Sequence, residues 1–175
     1  MTNCVFESLR AGLRPLDFKF IFGMVDLRVT TLQENDQFVD DKSVILDQYF
    51  TSNQKLVELL QLVAHYVLAA TRVHSMAHVI LNDEPKKPTD LYGMAHFCHN
   101  VAHHNLLQSY LDAGYYNSGH DDNLMTLVCY ATQITICVSI ETTKVKDVYK
   151  HHNSSNPHQI DLSFSDSHCA FLKRT

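Results

Sequence analysis

Glycine is scarce in this 175-residue chain, at five residues, and no G-x-S-x-G, phosphate-cradling or dinucleotide-binding pattern occurs. Loops that wrap backbone amides around a phosphate are built from glycine, so nucleotide-dependent chemistry is disfavoured. Lysine and arginine are missing from the whole stretch between Pro88 and Thr143, and basic residues gather only in small groups such as Lys86-Lys87 and Lys144, Lys146 and Lys150. At a formal net charge of −5, no segment gathers the cations that a phosphate-backbone binder needs, so nucleic acid is not an expected partner. Long apolar runs are also lacking. The most apolar stretch, Leu124 to Ile140, is interrupted by Thr126, Thr132, Gln133, Thr135 and Ser139 and falls short of a bilayer span, so no membrane partner is expected. The five cysteines, Cys4, Cys98, Cys129, Cys137 and Cys169, are odd in number and contain no C-x-x-C pair, and no apolar leader follows Met1. That pattern reads as reduced thiols in a cytosolic or nuclear compartment. Cys98, Cys129 and Cys137 lie in apolar segments, where a free cysteine behaves as a small hydrophobe.

What is present divides the chain into short and long elements. Residues 3–11 form an amphipathic helix with Asn3 as cap and Gly12 as stop, and Pro15 blocks continuation. Phe18, Phe20 and Phe22, then Val25, Leu27 and Val29, alternate with other residues at a period of two and are expected as two strands meeting at Gly23. Gln33 to Lys42 reads as a loop. From Ser52 or Asn53 to Leu81, the residues Leu56, Leu59, Leu60, Val63, Val67, Ala70 and Ala77 recur at threes and fours, which predicts a helix of about 29 residues and about 43 Å, the spine of the fold. A turn with Pro85 and Pro88 leads to a second helix from Thr89 to Ala113, stopped by Gly114, and the short connection favours an antiparallel hairpin. Asp121 or Asp122 caps a third apolar segment that is helical to Ala131. Its second half, with Ile134, Ile136, Val138 and Ile140 alternating with Thr135, Cys137, Ser139 and Glu141, favours a strand, with a buried helix running through as the alternative. Ile160, Leu162 and Phe164 suggest a last strand before a short tail. The expected fold is α+β: a helical layer built on a long hairpin over about residues 53–113, packed on a small antiparallel sheet made from N- and C-terminal strands, in one domain over residues 1–175. An all-α bundle is the alternative.

Histidine supplies the most unusual local feature. His96, His99 and His103 fall in one helical stripe with Tyr92, Leu106 and Tyr110, and His104 is rotated off it; on the preceding helix His74 and His78 are i, i+4 neighbours, the spacing two imidazoles need to reach one metal ion. An antiparallel hairpin would bring the two sets to similar depth. Converging neutral imidazoles suit zinc, iron or copper, with Asp90, Asp121 or Asp122 adding oxygen and His120 as a further ligand. Cys98 sits between His96 and His99, but such near neighbours on a helix point apart and cannot form a nucleophile-base pair.

These observations favour a non-enzymatic interaction or assembly protein of the kind viral genomes encode, with no cofactor, whose helical layer binds another protein or a second copy. The alternative is a metal-dependent hydrolase or metal-binding protein using His74, His78, His96, His99 and His103, in which the ion would activate a water molecule.

Overall fold

The structure, a computed structural model, describes residues 3–23, 28–30, 43–71, 88–114, 123–150, 156–165 and 168–175. Helix α1 spans Cys4–Gly12 and buries Val5, Phe6, Ser8, Leu9 and Gly12 along one side. It ends at Leu13, whose extended backbone donates back to Leu9 O at 2.8 Å. Pro15 then opens a 3-10 turn, Pro15–Phe18, where its fixed φ is pre-set and its missing N–H costs nothing. Helix α2 follows at Lys19–Gly23. Two three-residue strands, β1 Arg28–Thr30 and β2 Ser43–Ile45, pair in parallel.

Helix α3, Asn53–Thr71, is the spine expected from its periodicity. Ser52 Oγ accepts the Lys55 amide at 3.1 Å, and Leu56, Val57, Leu59, Leu60, Val63, Ala64 and Val67 are fully buried. It packs against α1, against α4 Pro88–His103 and α5 Leu106–Ala113, and against α6 Asn123–Thr132. Each such buried aliphatic side chain contributes roughly 1.5–3 kcal/mol relative to exposure. At the end of α6, Thr132 Oγ donates to Val128 O at 2.7 Å and accepts the Ile134 amide at 3.2 Å. Gln133 adopts φ 58° there, and the chain turns into strand β3, Thr135–Ile140. Strands β4 Val145–Tyr149, β5 Gln159–Ser165 and β6 His168–Arg174 complete a mixed sheet in the order β4-β3-β5-β6, with β3 and β5 parallel and the two outer pairings antiparallel. Ile136, Val138, Ile160, Leu162 and Cys169 form its buried face.

The α+β class is as expected, and the all-α alternative is not what forms. The composition of the sheet differs. Its strands all lie between residues 135 and 174, it is mixed rather than antiparallel, and the N-terminal segment reaches it as a helix. Phe18 and Phe22 suit a period of two, yet with Ile21 they are also spaced at three and four, and all three are buried in helical backbone. The expected tail after Phe164 is strand β6, and β4 arises where Val145, Lys146, Asp147 and Val148 give too little alternation to mark a strand. The helix from Thr89 to Ala113 is two helices, because Asn105 takes φ 53° and interrupts it. The hairpin turn, His74, His78 and Ala77 lie outside the described residues, as do Gln33 to Lys42, His120, Asp121 and Asp122.

Candidate active site

Of the histidines expected to share a metal ion, His74 and His78 lie outside the described residues, and His96, His99 and His103 are on α4. His96, His99, His103 and His104 are all exposed. His96 Nε2 lies 3.3 Å from Asn100 Nδ2. The His99 ring centroid is 5.0 Å from that of His103 and 5.1 Å from that of His104, and His103 meets His65 of α3 at 5.1 Å. The packing of α3 on α4 brings His65 to this group. Among the described residues no group of three or more His, Cys, Asp or Glu side chains is arranged to hold a metal ion. Cys98 is fully buried, and desolvation pushes its thiol up to about 12.

A different juxtaposition appears where the two ends of the chain meet. Helix α1 lies along β6 with the N-termini of both at the same end. At one end of this contact Ser8 Oγ donates to Cys169 O at 3.3 Å and the Cys169 amide donates to Cys4 Sγ at 3.1 Å. At the other, a β-carbon on Gly12 would lie 2.9 Å from the Phe171 ring, which shows how closely helix and strand approach. Beyond it, Arg174 donates to both carboxylate oxygens of Asp17 at 2.7 and 3.0 Å and to Gly12 O at 3.1 Å. Asp17 also accepts the Arg14 amide at 2.7 Å and Asn156 Nδ2 at 3.3 Å. This bidentate, buried clamp and the Gly12 contact fix α1 against the strand, and so fix where Cys4 stands.

Cys4 is the first residue of α1 and is half-buried. The first amides of a helix have no intrahelical partner and favour negative charge nearby. Asn3 occupies the cap position, and its carbonyl accepts the Glu7 amide at 3.0 Å, yet its side chain makes no capping bond. Asn3 Oδ1 is instead buried without a hydrogen-bond partner. His168, exposed at the start of β6, immediately precedes the amide that holds the Cys4 sulfur. Its Cα is about 2.4 Å from that nitrogen by standard backbone geometry, and therefore within about 5.5 Å of Cys4 Sγ. That distance is within the span of a histidine side chain and one hydrogen bond. The pair stands at the carboxyl end of parallel strands β3 and β5.

Sequence spacing offered no sign of this arrangement, since Cys4 and His168 are separated by nearly the whole chain. The available signals were local: a cysteine opening an amphipathic helix after a polar cap residue, and a histidine opening a terminal strand. Comparison of the chain with protein-family models, curated proteins and solved structures finds no match.

Proposed function

We propose that the protein is a thiol-dependent hydrolase in which Cys4 is the nucleophile and His168 the general base. The single observation that supports this reading is the hydrogen bond from the Cys169 amide to Cys4 Sγ, because the half-buried thiol at a helix N-terminus thereby stands beside the peptide that joins His168 to Cys169. Reactive cysteines occur in such surroundings, whereas buried ones such as Cys98 are inert.

In the reaction, His168 takes the Cys4 proton and the thiolate attacks an acyl carbon. The first amides of α1 face the oxyanion that develops, where fixed donors act most strongly. His168 returns the proton to the leaving group, giving a Cys4 thioester. It then removes a proton from water, which attacks the thioester and releases the acid and the thiol. Asn3 Oδ1 provides an acceptor for a substrate N–H, which would explain a buried acceptor left unpaired in the free protein.

Hydrolysis of p-nitrophenyl acetate, a small activated ester, tests the reading. Cys4→Ala is expected to abolish protein-dependent turnover, and His168→Gln to reduce it by about 10²–10⁴-fold, the usual contribution of a positioned general base. Turnover that survives Cys4→Ala would overturn the proposal.

A second reading, the interaction or assembly protein expected from sequence, draws support from a different observation. Val145 and Val148 are 41% and 59% exposed on β4, an edge strand among the described residues, and an edge strand offers unpaired backbone groups to another chain. Light scattering on the eluting protein tests it. A strict monomer whose oligomeric state and partners are indifferent to Val148→Lys would count against it.

A further inference from the structure

We propose that Cys4 and Cys169 form a reversible intrachain disulfide when the protein meets a peroxide, switching off the nucleophile and protecting it from irreversible oxidation. The inference rests on Cys4 being the reactive thiol of the hydrolase reading.

Geometry provides the pair. The Cys169 amide nitrogen is 3.1 Å from Cys4 Sγ. Adding one N–Cα bond puts the Cys169 Cα within about 4.6 Å of that sulfur, close enough for the Cys169 side chain, once turned toward it, to close an S–S bond of about 2.05 Å. The Cys169 side chain belongs to the buried face of the sheet, and Ser8, one turn along α1 from Cys4, bonds its carbonyl. The Cα atoms of His168 and Cys169 stand on the two sides of the peptide N–H that meets the Cys4 sulfur, so in this proposal one supplies the proton acceptor and the other the second thiol.

Exposure sets the order of events. Cys169 is 2% exposed and Cys4 is half-buried, so a small peroxide reaches Cys4 first. The Cys4 thiolate attacks one peroxide oxygen, the O–O bond breaks, hydroxide leaves, and the sulfur is oxidised to a sulfenic acid. The Cys169 thiol, giving up its proton, attacks that sulfur. The S–O bond breaks, water leaves, and the S–S bond forms. In total two thiols and one hydrogen peroxide become one disulfide and two waters, and a dithiol such as dithiothreitol reverses the product by exchange. The other buried thiols, Cys98 on α4 and Cys129 on α6, belong to helices remote in the fold order from the α1–β6 contact.

The test treats the reduced full-length protein with hydrogen peroxide, blocks remaining thiols with N-ethylmaleimide, and maps proteolytic peptides by mass. A Cys4–Cys169 cross-linked peptide, lighter by two hydrogens than the reduced pair, is expected. Ester turnover should fall by about tenfold or more and return to within about twofold of its starting value after dithiothreitol, as for a ladder arrested at its reversible rung. Cys169→Ser and Cys169→Ala should instead accumulate sulfinic or sulfonic acid on Cys4 and stay inactive after reduction. The wild-type peptide map decides the matter even where neither variant folds. Cys4 over-oxidised without a cross-link, or joined to Cys98, Cys129 or Cys137, overturns the inference. Acetyl transfer through Cys4 with no cross-link overturns it and leaves the hydrolase standing. A cross-link in a protein without Cys4-dependent turnover supports the disulfide and removes the hydrolase.

Discussion

The amide N–H of Cys169 donates to the sulfur of Cys4 over 3.1 Å, joining residues 165 positions apart in the chain. One contact thus makes a thiol at the first turn of a helix and a histidine at the first residue of a strand into neighbours. Its geometry depends on the whole length of the α1–β6 packing, closed at its far end by Asp17 and Arg174.

Arg174→Met leaves the Asp17 carboxylate, 5% exposed, with only the Arg14 amide and Asn156 as donors. Breaking a buried pair from one side costs about 3–5 kcal/mol. Urea denaturation is expected to show a loss of this order, partly recovered when Asp17→Asn is added, because the second change removes the stranded charge. An unchanged midpoint for Arg174→Met would mean that the clamp is not formed in solution.

Gly12→Ala pushes a β-carbon to 2.9 and 3.0 Å from the Phe171 ring and 3.3 Å from Ile160 Cγ2. Overpacking of this kind costs about 1–3 kcal/mol, partly offset by the better helix propensity of alanine, worth up to about 1 kcal/mol. A net destabilisation is expected, with ester turnover reduced through displacement of α1. A stabilised variant with full activity would contradict the close helix–strand approach.

Burial raises the Cys98 thiol to about 12, whereas an unfolded thiol ionises near about 8.5. Only the unfolded chain releases this proton between those values, so the contribution of Cys98 to stability is intact below about pH 8.5 and declines as pH rises towards about 12. The decline approaches about 1.4 kcal/mol per pH unit. Denaturation at about pH 7 and about pH 10 should show a larger alkaline loss for wild type than for Cys98→Ala. Equal losses would show that Cys98 titrates in the folded protein as it does in the unfolded chain.

The exposed His103 ring on α4 meets those of His65 and His99 in the helical layer. Replacing all three by glutamine is expected to change stability by no more than about 0.5 kcal/mol, as for ordinary surface positions, and to leave ester turnover at the wild-type rate. A fall in turnover equal to that of His168→Gln would move the site to the helical layer.

Local patterns were readable where a single element carried them. The repeat from Leu56 to Val67, the stop at Gly114 and the change from helix to strand between Ala131 and Ile134 all follow from periodicity, glycine and β-branching, and the structure has each. Patterns compatible with two periods were not decisive, as at Phe18, Ile21 and Phe22, and the sharp break at Asn105 depends on one left-handed residue with no glycine to announce it. The candidate site was hidden for a different reason. Histidine density drew attention to His96, His99 and His103, whereas Cys4 and His168 are unremarkable within their own segments and acquire meaning only from long-range packing.

Acyl transfer through Cys4 is measured most directly by quenching the reaction with p-nitrophenyl acetate in acid during its first turnover and locating the acetyl group by peptide mass mapping. One acetyl group is expected, as a thioester on Cys4, that persists longer in His168→Gln because that variant cannot activate the water of the second step. An acetyl group on lysine, histidine or another cysteine, with Cys4 unmodified, would contradict it.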